Sequence, residues 1–407
     1  MNRLKRYIKP ALYNILQNKI YALFCIIGTA LTFVFITLIL QLTYSLISNQ
    51  PPSNNADRVL QFSDFYDTKG NYIGGLKPEE MTILLDNLKN VEACSYLNGE
   101  MTTFTVDDKL YTGDIAFVNG DFWIVNNFKF LKGRNFNSKE CDERKKYIVI
   151  KESISKTCFR SADVLSKKIM LQGNEYEIIG VVDDFSYFSS PSETATMWIP
   201  YTYNKFVPSY SDYYTYAILF PEDSQMSENK EKLIKAINEN FEKKNLSTDI
   251  RNINTLKEKK IESVGSNFFA YGVIIAIVIL LIIPALNIVT LNTANTNNRA
   301  EEIAVKRAMG ASRLSAFFQI LLENFIQVFM GSMLGLLLMK PAVKLVESIL
   351  LGEVLADGIT LVSEINYQVV FLGVFPLILI FTILSGGIPA YFISRLNIVD
   401  VLKGGTK

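Results

Sequence analysis

Four apolar runs divide this chain, at residues 21–47, 268–291, 317–338 and 369–392. Each reaches the roughly 20 apolar residues that a helix needs to cross about 30 Å of hydrocarbon, so four membrane spans are expected. The first is too long for the apolar part of a cleavable leader, and residues 45–50 offer no convincing small-residue cleavage site. It reads as a retained anchor. Between the first two runs the pattern becomes that of a folded domain. Alternation, or β-branched and aromatic richness, predicts strands at 59–65, 102–106, 111–117, 147–150, 168–171, 176–182, 196–200 and 213–220. Gln172-Gly173-Asn174 predicts a hairpin turn, and residues 77–88 and 227–244 predict amphipathic helices. The expected fold is an α-helical membrane domain of four transmembrane helices plus a large α+β extracytoplasmic domain inserted between spans 1 and 2. Two lobes are expected there, one from both ends of the block and one from its middle.

The pattern divides the chain into an amphipathic helix (1–19), span 1 (20–48), the large domain (49–267) and span 2 (268–291). A short helical segment (292–316), span 3 (317–338), a loop (339–368), span 4 (369–392) and a tail (393–407) follow. In the first helix Leu4, Ile8, Leu12, Ile15 and Leu16 face one way, while Arg3, Lys5, Arg6 and Lys9 suit anionic lipid headgroups. Pro10 marks a kink or a helix start. Residues 51–55 form a linker, and residues 253–263 read as a polar helix running into span 2, a lever between domain and membrane.

Basic residues set the orientation. Arg3, Lys5, Arg6, Lys9 and Lys19 precede span 1 with no acid among them. Arg299, Lys306, Arg307 and Arg313 lie between spans 2 and 3, and Arg395, Lys403 and Lys407 follow span 4. The loop between spans 3 and 4 instead carries Glu347, Glu353, Asp357 and Glu364. Both termini and the segment 292–316 are therefore expected in the cytoplasm, with the large domain and the 339–368 loop outside. The net charge of +1 conceals this segregation.

That segment has a design of its own. Glu302 and Lys306 stand four apart with the acid first, the favourable order for a helical pair. Ala300, Ala304, Ala308 and Ala311 form a small-residue face, and Gly310 can end the helix. Taken alone, this is either a docking helix or an interfacial turn stabilised by its own charges. The run Glu302-Ile303-Ala304-Val305-Lys306-Arg307-Ala308-Met309-Gly310-Ala311-Ser312-Arg313 resembles the E-I-G/A-x-x-R/K-A-x-G-A-S-R signature of FtsX/MacB-type ABC transporter permeases. The tail from Pro389-Ala390 through Ser394-Arg395-Leu396-Asn397 to Leu402-Lys403 resembles the family ending, with Ile398 where proline is usual. Gly120-Asp121-Phe122-Trp123, Gly133-Arg134-Asn135-Phe136 and Gly180-Val181-Val182-Asp183 resemble elements of the MacB-type periplasmic core; Ser166-Lys167 departs from the usual Gly-Lys. With the membrane motifs, the resemblance spans essentially the whole chain.

The resemblance implies that 292–316 is a cytoplasmic coupling helix docking on an ABC ATPase. The residues it assigns to coupling are Glu301, Glu302, Ile303, Ala304, Lys306, Arg307, Ala308, Gly310 and Ala311. It further implies a permease homodimer acting mechanically rather than through a channel. Export of a peptide, drug or lipoprotein is one outcome, with a periplasmic adaptor and outer-membrane channel as further partners. FtsX-like activation of an extracytoplasmic enzyme is the other. An unrelated membrane receptor would leave both cytoplasmic motifs as coincidence. Gly331 and Gly335 form a G-x-x-x-G in span 3, read either as a dimer contact or as ordinary packing. Glu323, an acid inside span 3, is expected to pair with Asn324 or a serine on a neighbouring helix.

Composition removes other classes. There is no histidine, and the four cysteines (Cys25, Cys94, Cys141 and Cys158) have no metal-type spacing and read as buried thiols. No G-x-x-x-x-G-K-S/T occurs, so no cofactor is expected on this chain, with ATP and Mg on the partner ATPase. Asp107-Asp108 and Asp183-Asp184 follow predicted strands, where aspartate is ordinary turn chemistry. No basic–aromatic strip points to nucleic acid. The aromatic-rich stretch 185–216 is either a contact surface or core.

Overall fold

A computed structural model describes residues 2–88, 90–186, 195–202, 214–246, 248, 250, 253–262, 266–297, 300–350, 360, 362 and 365–395. The chain forms two units, one of residues 1–44, 267–346 and 364–407, the other of residues 45–266 and 347–363.

The first unit is helical. α1 (Asn2–Gln17) precedes α2 (Lys19–Ile47), and α9 (Ser266–Asn297), α10 (Ala300–Ala308) and α11 (Arg313–Leu350) follow the sheet unit in chain order. α12 (Tyr367–Thr382), a π-helical turn (Ile383–Gly387) and α13 (Ile388–Ser394) complete it. Among the described residues, four stretches are long and apolar enough to cross a membrane: Lys19–Ile47, Tyr271–Thr290, Arg313–Ile349 and Tyr367–Ser394. Their shared core includes Phe33, Ile36, Leu281, Val328, Val374 and Phe381.

Gly331 and Gly335 bring α11 close to α2. A Cβ at 331 would stand 2.8 Å from the Ile26 carbonyl oxygen, and one at 335 would stand 2.7 Å from that of Ala30. The close approach that G-x-x-x-G offers to a second copy is thus made to span 1 of the same chain. Of the two readings of the pair, this contact is the packing one. In span 4, Pro389 has no N–H to give the Ser385 carbonyl, and the helix widens into the π-turn just before it. Asn324 fills the gap, its Nδ2 donating to the Thr382 carbonyl at 3.1 Å and to Ser385 Oγ at 2.8 Å.

The second unit is built on one ten-stranded sheet, in the order β12-β1-β11-β4-β5-β10-β7-β9-β6, with β8 against β4 and β9. The strands are β1 (Val59–Phe62), β4 (Ala93–Val106), β5 (Lys109–Val118), β6 (Phe130–Gly133), β7 (Tyr147–Lys151) and β8 (Lys168–Leu171). β9 (Asn174–Val182), β10 (Met197–Pro200), β11 (Thr215–Leu219) and β12 (Asn254–Thr255) complete the sheet; β2 (Phe65–Tyr66) and β3 (Tyr72–Gly74) pair separately. Among the described strands, β10–β5 and β7–β9 pair parallel and the other pairs antiparallel. The β4–β5 hairpin turns on Asp107 and Asp108, both left-handed (φ 46° and 61°), as two-residue hairpin turns of this twist require. Gln172 and Gly173 do the same between β8 and β9.

Two cores share this sheet. Strands from both ends of the block pack with α3 (Pro78–Asn87) and α7 (Met226–Glu242) around Phe62, Tyr216, Leu233 and Phe241. The middle strands enclose Ile148, Ile150, Ile178 and Met197 on one face and Phe122, Trp123, Phe136 and Trp198 on the other. Phe185, Trp198, Tyr214 and Tyr216 of the aromatic-rich stretch are buried; residues 187–194 and 203–213 lie outside the described residues. Ser186 forms a parallel bridge with Thr360, which stands between α11 and α12 in the chain.

Candidate coupling site

The three family-like elements of the sheet unit are packing devices. Gly133 on β6 stands opposite Gly180 on β9. A Cβ on Gly133 would lie 2.1 Å from the Ile179 carbonyl oxygen, and one on Gly180 would lie 2.3 Å from that of Arg134. Arg134 forks onto Glu140 through two bonds of 2.9 and 2.8 Å, which holds the Glu140 carboxyl below its ordinary range. Phe122, Trp123 and Phe136 are buried together. The paired acids are likewise structural. Asp183 meets Lys129 at 2.9 Å, while Asp184 accepts from the hydroxyl and backbone N–H of Ser153. Burial pushes the Asp184 carboxyl up, against those hydrogen bonds. Lys151 is buried with Nζ 4.0 Å from the Phe185 ring centre. Among the described residues no cluster has the make-up of a metal site. Cys94, Cys141 and Cys158 are free thiols raised by burial, Cys141 to about 12 and Cys158 to about 11.

The segment between α9 and α11 is organised differently. α10 carries Glu301 and Glu302 in its first turn and Lys306 and Arg307 in its last, matching charge to the helix dipole at both ends. Lys306 Nζ meets Glu302 Oε1 at 2.6 Å on the surface. The helix stops at Gly310, in the left-handed conformation (φ 100°). There the N–H of Gly310 donates to the Arg307 carbonyl and that of Ala311 to the Lys306 carbonyl, a Schellman closure. Two residues on, Ser312 caps α11 by accepting from the Ser315 N–H at 3.2 Å. Gly310, Ala311 and Ser312 are thus a stop and a start in consecutive positions.

One face of α10 is seated on its own bundle. Ile303 (8% exposed) and Ala304 (4%) are buried, and Ile303 shares a cluster with Ala316 of α11 and Ile393 of α13, with Ile320 against it. A cavity beside this seat is lined by Ile303, Lys306 and Arg307 from α10 and by Ser315, Gln319 and Glu323 from α11. The opposite face presents Glu301, Glu302, Val305 (45% exposed), Ala308 and Met309 (77%). This divides the residues expected to couple. Ile303 and Ala304 hold the helix down and are not available to a partner, so the small-residue face is split between bundle and surface. Val305 and Met309, an exposed i, i+4 apolar pair, join the outward set. Their spacing was a usable signal. Ile398, where the family tail has proline, lies outside the described residues.

Residues 20–236 match the family of MacB-like periplasmic core domains, and residues 274–398 match the FtsX-like permease C-terminal family. The chain belongs to the MacB/FtsX-type ABC transporter permeases. It is a multi-pass membrane protein with an extracytoplasmic domain. It is 21% identical over 287 residues, 70% of the chain and 44% of the relative, to the macrolide export ATP-binding/permease protein MacB of Aggregatibacter actinomycetemcomitans. To the protein of that name in Escherichia coli strain K12 it is 23% identical over 223 residues, 54% of the chain and 34% of the relative. The permease chain thus spans under half the length of either relative. The crystal structure of the periplasmic region of MacB from Actinobacillus actinomycetemcomitans aligns with 52% of the chain and 95% of its own, at TM-score 0.42 and 15% identity. The extracellular domain of the noncanonic ABC-type transporter YknZ from Gram-positive bacteria aligns with 45% of the chain and 95% of its own, at TM-score 0.37 and 16% identity.

Proposed function

We propose that this permease takes motion from an ABC ATPase on a separate chain through α10 and passes it to its extracytoplasmic domain, driving export of a peptide, drug or lipoprotein. The observation that carries this reading is the two-sidedness of α10. One face is locked to the bundle through Ile303 and Ala304, and the other offers Glu302, Val305 and Met309 outward. A helix locked on one side and exposed on the other transmits a push. The basic residues around 299–313 and before α2 support a cytoplasmic location for this face and both termini. ATP and Mg belong to the ATPase. Two permease copies work as a pair, α1 lies on the lipid surface, and a periplasmic adaptor and outer-membrane channel complete the route. The two cores of the extracytoplasmic sheet act as the two lobes that such motion displaces.

Glu302→Lys tests the reading. It places like charges at 302 and 306, a change costing the helix only a few tenths of a kcal/mol. Loss of a desolvated interfacial charge contact costs on the order of 2–5 kcal/mol. The variant is expected at normal level in the membrane but without a copurifying ATPase. Retained copurification would confine Glu302 to local helix stability and remove it from the docking face.

A further inference from the structure

Glu323 is an acid buried in an apolar span, and such a group is costly unless it is partnered. One partner lies far off in sequence. Asn14 on α1 donates from Nδ2 to Glu323 Oε2 at 3.2 Å, and both side chains are buried. Asn14 belongs to the inner face of α1, with Ala11 and Ile15, whereas Leu12, Tyr13 and Leu16 are exposed. One turn back along α11, Gln319 and Ile320 line the cavity beside α10, and Glu323 lines it too. The acid therefore shares that cavity with Lys306 and Arg307 while holding α1 with one carboxylate oxygen. Its neighbour Asn324 is fixed on the π-turn of span 4 by two hydrogen bonds, and a Cβ on Gly386 would stand 2.4 Å from Asn324 Nδ2. At this level α11 is anchored to span 4 through one residue and to α1 through the next.

We propose that Glu323 is a positioning residue of the coupling site, which fixes α1 to α11 beside the seat of α10 so that α1 and α10 move as one piece. The proposal rests on reading α10 as the coupling helix, but its geometry does not. A carboxylate suits the position because it accepts from Asn14 and carries the charge that complements the two cations around the cavity. The Asn14 bond joins Glu323 to α1, and an amide at 323 would preserve that bond through its own carbonyl oxygen.

The test uses the full chain in lipid nanodiscs, with Cys158→Ser and spin labels on Tyr13→Cys in α1 and Met309→Cys just past α10. Both labelled positions are exposed and outside the joint. The parent should give one narrow distance distribution. Glu323→Leu and, separately, Asn14→Leu should lose the narrow peak, while Glu323→Gln should retain it. Asn14→Leu leaves the span untouched, so it decides the matter should Glu323→Leu fail to reach the membrane. A narrow peak in either Leu variant, or its loss in Glu323→Gln, overturns the proposal. No ATPase is present in the measurement, so failure of the coupling reading would not mimic failure here.

Discussion

Ile303 of α10 and Ile393 of α13 meet in one buried cluster with Ala316, so the two segments that carry the permease motifs share a single seat. Neither motif is a docking surface throughout. Glu301 and Glu302 of α10 stay exposed, whereas Ser394 beside Ile393 is buried.

The first expectation follows from that contact. Ile393→Ala should loosen α10 although position 393 need never touch a partner. Truncating a buried isoleucine costs about 2–5 kcal/mol where the site cannot collapse. The helix should become more exposed to protease at Lys306 and Arg307, and ATPase stimulation should fall with it. Ile393→Val, which removes one methylene, should lie close to the parent in both assays.

Met309→Ser should behave in the opposite way. The side chain is mostly exposed, so membrane level and thermal stability should stay within about 0.5 kcal/mol of the parent. As a buried anchor in a complex, its loss should cost about 1–2 kcal/mol, roughly a tenfold weaker affinity for the ATPase. Unchanged affinity in a binding titration would move the docking face elsewhere on α10.

The glycine pair of the extracytoplasmic sheet predicts a purely structural defect. Gly180→Ala puts a methyl group 2.3 Å from the Arg134 carbonyl oxygen, in a strand that cannot shift without breaking β6–β9 pairing. Overpacking of this kind costs about 1–3 kcal/mol or more. Both tryptophans of the chain, Trp123 and Trp198, lie in the adjoining core, so intrinsic fluorescence should report the loss selectively.

A pH effect is expected from Lys260. On α8 (Leu256–Glu262) it is buried, with Nζ 3.3 Å from the Ser48 carbonyl oxygen just past α2. Burial, and then nearby Lys257, lowers it from 10.5 to about 8. Between those values the unfolded chain binds more protons than the folded one, so this group adds stability as pH rises. Below about 8 both states are protonated and it contributes no slope. From pH 7 to 9 the gain should be on the order of 1 kcal/mol in the parent and absent in Lys260→Met. The comparison belongs below pH 9, because the buried thiols, raised in the fold, act with the opposite sign above it.

Much of this was legible in the sequence, and the failures have physical reasons. Periodicity found the apolar runs, and Gln172-Gly173 announced its hairpin because few dipeptides accept two left-handed residues. The buried side of α10 was not readable. Its sequence offers two apolar sides, Ile303 with Ala304 and Val305 with Met309, and a bundle and a protein partner both bury apolar groups. Gly331 and Gly335 announced a close approach but not whose backbone would make it. For Glu323 the sequence points to Asn324 or a serine on a neighbouring helix; the structure gives it Asn14 on α1, 309 residues away, where no local pattern reaches. The start of β4 was missed because Asn98, Gly99 and Glu100 interrupt its alternation.

The central claim is that the exposed face of α10 meets an ABC ATPase. The most direct measurement places a photo-cross-linking amino acid at position 309 in living cells and identifies the adduct by mass spectrometry. The account predicts an ABC ATPase chain, with the adduct lost when Glu302→Lys is added. An adduct formed only with extracytoplasmic proteins, or only with lipid while the ATPase still copurifies, would contradict it.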